Sequence, residues 1–297
     1  MSENFADFLL DSIRKKGSVL CLGMDPVLEH FPPDLSGLPP KRALYSFVME
    51  IMESVQDLTP VIKFQIACFE RYGSEGIRIL EEALRKAQKS GIITILDGKR
   101  GDIGSTSEQY ALAYFSQQAP LPADAVTLNP YLGRDSLEPF FPFFKLRKGA
   151  FVLLRTSNPS AREVQDLKVE SGPLYLEVAK LVKEWGKPFL GKFGYSSLGA
   201  VVGATYPEEL SLLRGLFPEM FFLVPGYGAQ GATEKEVASA FDTRGEGAIV
   251  NSSRQLIYAY KRSPYCEMGV KFGEAARLAY LDAREKLNLA IKERVKK

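Results

Sequence analysis

An α/β chain folded as one (β/α)₈ barrel, the TIM barrel, is what this sequence predicts, on three observations. Eight short apolar runs alternate with segments of helical period along 297 residues. No linker, low-complexity tract or shift of composition divides them, so a single domain spans residues 1–297, with an N-terminal helix and a helical C-terminal extension. Polar residues that a buried strand should exclude fall again and again at strand carboxyl ends, where barrels of this kind build their sites. A doubly wound sheet alternates strands and helices equally well, but no glycine-rich dinucleotide turn follows the first strand here.

Residues 3–16 carry Phe5, Phe8, Leu9 and Ile13 on one helical face. Strand 1 runs from Ser18 to Leu22 and leads into Gly23-Met24-Asp25-Pro26, with an acid at its tip. Prolines 26, 32, 33, 39 and 40 make the next segment an irregular loop, and the apolar stripe of residues 41–57 makes a helix. Strand 2, residues 60–65, has Lys63 inside it; a helix over 73–90 stops near Gly91. Strand 3 begins at Ile92 and ends in Asp97-Gly98-Lys99, before a helix over 105–118. Strand 4, residues 125–130, precedes a phenylalanine-rich helix reaching about residue 148. Strand 5 spans 150–154 and leads to Arg155-Thr156-Ser157-Asn158-Pro159; an excursion over 158–197 holds a helix around 173–185. Strand 6 is 200–205, with a helix after Pro207 at the position proline favours. Strand 7, residues 221–224, breaks at Pro225-Gly226-Tyr227-Gly228-Ala229-Gln230-Gly231, and strand 8, residues 248–251, leads to Ser252-Ser253-Arg254. The remainder is helical and charged and closes the outer ring.

Composition excludes several function classes. Acids (36) nearly balance bases (38), so no global field selects nucleic acid or a membrane as partner. The N-terminal residues lack the layout of a signal peptide, and no apolar run spans a bilayer. Cys21, Cys68 and Cys266 are odd in number and far apart, which supports neither a disulfide framework nor a zinc site and fits the cytoplasm. His30 is the only histidine and sits in the proline-rich connection Glu29-His30-Phe31-Pro32-Pro33, so a multi-histidine metal centre is ruled out and no histidine other than this loop residue could serve a Ser-His-Asp triad. Acid–base work falls to Lys, Asp, Glu or Tyr.

The candidate residues are therefore the strand-end outliers: Asp25, Lys63, Asp97, Lys99, Ser157, Gln230 and Arg254. Asp97 and Lys99 are two apart, so an extended backbone points them to one face, and Asp102 follows a glycine that lets the chain turn. Two carboxylates converging on a lysine hold it charged and strain each other, as working sites do. Gly226, Gly228 and Gly231 allow amides to approach an anion, and Arg254 adds a bidentate contact. Phosphate sites after strands 7 and 8 recur in this architecture.

With these residues in view, the chain resembles the orotidine 5′-monophosphate decarboxylase family, in particular its longer bacterial branch. The resemblance runs through nearly the whole chain. It is carried most specifically by the D-x-K-x-x-D-I element Asp97-Gly98-Lys99-Arg100-Gly101-Asp102-Ile103, with Thr106 shortly after. Gly23-Met24-Asp25-Pro26, Ile62-Lys63-Phe64, Thr156-Ser157-Asn158-Pro159, Val202-Gly203-Ala204-Thr205 and the Pro225–Gly231 loop support it. Shorter members have Gly-Arg-Ser in the last strand where this chain has Ser253-Arg254-Gln255. The resemblance implies decarboxylation of orotidine monophosphate without cofactor or metal. Lys99 then stabilises the carbanion and gives the proton, with Asp97 beside the departing carboxylate. Asp25 and Lys63 bind the ribose hydroxyls and Ser157 reads the pyrimidine. Gln230 and Arg254 hold the phosphate, with Pro225, Gly226 and Ser253 beside them. It further implies a homodimer in which Asp102 and Thr106 reach the neighbour's site. Sister activities on this barrel, 3-keto-gulonate 6-phosphate decarboxylase and hexulose phosphate synthase, use magnesium and want another acid at the end of strand 2. This chain has Phe64-Gln65-Ile66 there.

Overall fold

In the computed structural model, which describes residues 4–170, 172–228 and 231–296, eight parallel strands close into a barrel. They are β1 (Leu20–Met24), β2 (Val61–Gln65), β3 (Ile93–Arg100), β4 (Ala125–Leu128), β5 (Gly149–Arg155), β6 (Leu198–Val202), β7 (Phe222–Val224) and β8 (Ala248–Ser252). They follow one another around the barrel in chain order, and β8 closes it by pairing with β1, Leu20 opposite Val250. Helices cover the outside, so β1, β4 and β8 are buried at every position. That double burial is why the strands read as apolar runs rather than alternating ones.

The helices are α1 (Phe5–Lys16), α2 (Pro40–Val55), α3 (Gly73–Lys89), α4 (Gly104–Phe115), α5 (Leu174–Gly186), α6 (Pro207–Leu216), α7 (Glu234–Ala238) and α8 (Phe272–Val295). In α3 the buried Ile79, Leu80, Ala83, Leu84 and Ala87 recur at helical spacing and face the barrel. α1 plugs the amino-terminal mouth. Its Asn4 side chain caps the Asp7 amide, and Asp7 in turn accepts from the amides of Lys192 and Phe193 at 2.9 and 3.1 Å. Phe5 packs edge-on against Phe151, and Gly149 leaves it room, since a Cβ there would lie 2.2 Å from the Phe5 ring. With that mouth filled, a ligand enters from the other one.

Three local expectations differ from the structure. The phenylalanine-rich segment forms 3₁₀ turns over Glu138–Leu146, because Pro142 inside it cannot donate the α-helical hydrogen bond. β1 starts two residues later than its expected run and β6 two residues earlier; in β6 the last expected residues, Gly203, Ala204 and Thr205, belong to the rim. The 158–197 excursion contains a small antiparallel hairpin, Lys168–Val169 with Gly172–Pro173, ahead of α5. Among the described residues no helix is long and apolar enough to cross a membrane.

Candidate active site

The carboxyl ends of the strands surround a cavity of about 1070 Å³. Of the residues singled out from sequence, Asp25, Lys63, Asp97, Lys99, Ser157, Pro225, Gly226, Ser253 and Arg254 all line it. Gln230 lies outside the described residues.

Asp97 is the hub. Its Oδ2 accepts from Lys63 Nζ at 2.7 Å and from Gln65 Nε2 at 3.3 Å. Its Oδ1 accepts from Lys99 Nζ at 2.7 Å and from the Thr127 hydroxyl at 2.8 Å. Lys63 Nζ also stands 3.6 Å from Asp25 Oδ1, so acid, base, acid and base alternate from β1 to the end of β3. Burial opposes the ionisation of Asp97, but the ammonium groups of Lys63 and Lys99 and their hydrogen bonds outweigh it and hold the carboxyl below the usual carboxylate range. Burial likewise works against the charge on Lys63, and Asp25 and Asp97 overcome it, raising Lys63 above its ordinary value. Asp97 and Lys63 thus stand as a buried, mutually charged pair at neutral pH. Cys21, behind Lys63, is pushed up to about 12 by burial and stays a thiol.

Lys99 reaches this cluster by a route that strand alternation does not describe. Between Leu96 and Arg100 the register with β4 slips: Leu96 sits opposite Val126 and Arg100 opposite Leu128. Lys99 occupies the bulge with φ +47°, one of two non-glycine residues in the left-handed region among those described. Its backbone amide donates to Thr127 Oγ1 at 2.9 Å, and the same hydroxyl donates to Asp97. Thr127 thereby fixes both partners. The Lys99 side chain is 45% exposed, whereas Asp97 and Lys63 are buried, so the ammonium is the part of the network offered to a ligand.

Another part of the cavity wall carries the features expected of an anion site. Gly226 and Gly228 take φ +105° and +74°, conformations a side chain would resist. Ser253 and the exposed Arg254 face them from the end of β8. Close approach is enforced at β1 too: a Cβ on Gly23 would lie 1.9 Å from Ser253 Oγ. Arg254 has no carboxylate partner among the described residues, which leaves its guanidinium for an incoming acid group.

Asp102 and Thr106 do not join the cluster within this chain. Neither lines the cavity. Asp102 Oδ1 accepts from the Ile103 amide at 2.9 Å at the start of α4, and Thr106 is exposed. The expected convergence of Asp97, Lys99 and Asp102 on one mouth is corrected accordingly: β3 ends at Arg100 and the turn at Gly101 carries Asp102 away. Sequence reasoning overlooked Thr127, Gln65 and Gln165. For the first two a signal existed, a polar residue inside an apolar strand; Gln165 sits in the excursion and had none.

A model of a family described as orotidine 5′-phosphate decarboxylase / HUMPS matches residues 18–264. The orotidine 5′-phosphate decarboxylase of Rhodopirellula baltica is 43% identical over 297 residues, covering 95% of this chain and 98% of that one. That of Petrotoga mobilis is 44% identical over 284 residues, covering 94% and 96%. Among solved structures, Leishmania donovani OMP decarboxylase superposes with TM-score 0.76 at 31% identity over 98% of this chain and 99% of its own. A Toxoplasma gondii crystal structure reaches 0.85 at 30% identity, with 99% of each chain covered.

Proposed function

We infer the reaction from one premise: the chain belongs to the orotidine 5′-phosphate decarboxylase / HUMPS family. It converts orotidine monophosphate to uridine monophosphate and carbon dioxide, a carboxy-lyase step of pyrimidine biosynthesis. The observation that carries this for the site is the Asp25–Lys63–Asp97–Lys99 chain facing an arginine and a glycine-rich loop across one cavity.

The bond from carbon 6 of the pyrimidine to its carboxylate breaks and leaves its electron pair on carbon 6, where resonance does not absorb it. Lys99, as ammonium, stabilises that charge and then gives its proton to carbon 6, while carbon dioxide departs. Opposite charges about 4 Å apart attract by roughly 4 kcal/mol at an effective dielectric of 20, so expelling water from the cavity strengthens the effect. Asp97 keeps the Lys99 ammonium aimed, a role supported by their 2.7 Å contact. Asp25 and Lys63 bind the ribose hydroxyls, Ser157 reads the pyrimidine, and Arg254 holds the phosphate with Ser253, Pro225, Gly226 and Gln230. Phosphate binding at that remote end draws the Pro225–Gly231 loop over the substrate, so binding energy orders the charges. No step in this sequence calls for a metal or a cofactor.

The working unit is a homodimer in which Asp102 and Thr106 complete the neighbour's site. Supporting this, both residues stand clear of their own cavity, and in the segments that follow β3 and β4 Ile103 and Leu132 leave 63% and 47% of their surface uncovered. The free thiols Cys21, Cys68 and Cys266 suit a reducing compartment, and the reaction belongs to the cytoplasm. Incubating the purified protein with orotidine monophosphate and EDTA, and following the orotate chromophore, tests the assignment. Steady loss of the chromophore is expected; no loss, or loss that appears only when magnesium is restored, rules this reading out.

A further inference from the structure

Arg155 ends β5 two residues before Ser157, and it is fully buried. A buried guanidinium requires partners. Its Nη1 lies 2.7 Å from Asp166 Oδ1 and its Nη2 lies 3.5 Å from Glu209 Oε1, in the first turn of α6. Tyr206 stacks on it at 4.0 Å. The next residue is gripped separately: Gln165 Oε1 accepts from the Thr156 amide at 3.0 Å, and Gln165 Nε2 donates to Thr156 Oγ1 at 2.8 Å. On the far side Gly203 presses on the same turn, where a Cβ would come within 3.0 Å of Ser157. The short helix Arg162–Gln165 thus straps the Thr156–Ser157 turn in place, and the Arg155 ion pairs anchor the strap to β5 and α6.

We propose that Gln165 and the Arg155–Asp166 pair are positioning residues for base recognition: the excursion after β5 serves to hold Ser157 in register with the pyrimidine. The inference rests on the reading of Ser157 as the pyrimidine contact. It accounts for the presence of the excursion at this strand end and for burying an arginine where an aliphatic side chain would fill the space at less cost in desolvation. The strap belongs to the segment after β5, whereas the Gly226–Gly228 turn follows β7 and Arg254 begins the helix after β8. The strap should therefore govern affinity for the base and not for the sugar phosphate.

Binding of uridine monophosphate and of ribose 5-phosphate, which lacks the base, separates the two. Gln165→Ala is expected to weaken uridine monophosphate roughly 10-fold, the size of a lost positioned hydrogen bond, and to shift ribose 5-phosphate by less than about twofold. Asp166→Asn, at a residue that does not line the cavity, is expected to give the same selective loss on a smaller scale. Equal losses for both ligands, or no loss for either, overturn the proposal. Selective loss in Gln165→Ala with none in Asp166→Asn also overturns it, because Gln165 would then be touching the base itself. Ser157→Ala is the control. If it spares uridine monophosphate, the assignment of Ser157 fails and the strap proposal with it; if it is selective while Gln165→Ala is not, only the strap proposal fails.

Discussion

Lys99 combines the ammonium proposed as proton donor with a left-handed backbone, and the two are connected. A non-glycine residue at φ +47° costs of order 1 kcal/mol and persists only where its surroundings hold it. Here Thr127 takes the amide and Asp97 the ammonium, so side chain and main chain are both held before substrate arrives. Lys99→Ala is expected to abolish turnover and leave uridine monophosphate binding measurable; near-normal turnover in that variant removes Lys99 from its role. Asp97→Asn leaves Lys63 buried with Asp25 alone, 3.6 Å away, and should destabilise the fold by about 3 kcal/mol at pH 7. The sign of its pH dependence follows from linkage. Asp97 has its carboxyl lowered in the folded state, so its stabilisation is complete above the unfolded carboxylate value and fades as pH falls through the folded one. Lys63 is raised, so its contribution persists through neutral pH and is lost only in strong alkali. The stability gap between wild type and Asp97→Asn in urea should hold level from pH 8 to 5 and narrow below about pH 4. A gap that stays constant to pH 3 contradicts the ionised network.

At the scale of elements, the loop after β7 is where backbone geometry restricts sequence most. Gly228 adopts φ +74°, and a Cβ added to it would fall 1.3 Å from Gln255 Oε1. Gly228→Ala must therefore swing the Gln255 side chain aside and hold an alanine in the left-handed region that glycine favours. Affinity for the nucleotide and for inorganic phosphate should fall together, by about 10-fold or more, as expected for a strained αL alanine in a binding loop. Unchanged phosphate affinity would place the anion elsewhere. The slip in the pairing of β3 with β4 is the counterpart on the catalytic side. One loop needs the absence of a side chain, the other tolerates one because two hydrogen bonds compensate.

The molecule as a whole divides its two mouths by function. Asn4, Phe5 and Asp7 seal the amino-terminal end, and charged side chains crowd the carboxyl end. Association of two chains belongs to this scale. Leu132→Glu puts a charge on an exposed apolar residue that does not line the cavity. Under the proposed shared-site dimer it is expected to yield a monomer in sedimentation with turnover reduced at least 100-fold, because the site would then lack its partner's acid in the transition state. Full activity in a verified monomer separates Asp102 from catalysis.

Much of this was legible in the residues alone. The eight apolar runs and their helices determine parallel strands covered on both faces, and the absence of a glycine-rich dinucleotide turn after the first strand turns that pattern toward the barrel rather than a doubly wound sheet. Charged residues at the ends of those runs mark the mouth that works, since Asp25, Lys63 and Asp97 would otherwise be unpaired charges in an apolar strand. What pairs with what was decided in three dimensions. Strand period alone puts Asp97 and Lys99 on one face; the fold brings them together through a bulge stitched by Thr127, a residue 28 positions along the chain. Period says nothing of Asp102 leaving that face, of Pro142 holding the phenylalanine-rich segment to 3₁₀ turns, or of Gln165 gripping Thr156. Local periodicity records burial, which each residue senses for itself; register, bulges and long-range hydrogen bonds depend on partners that only the closed barrel brings within reach.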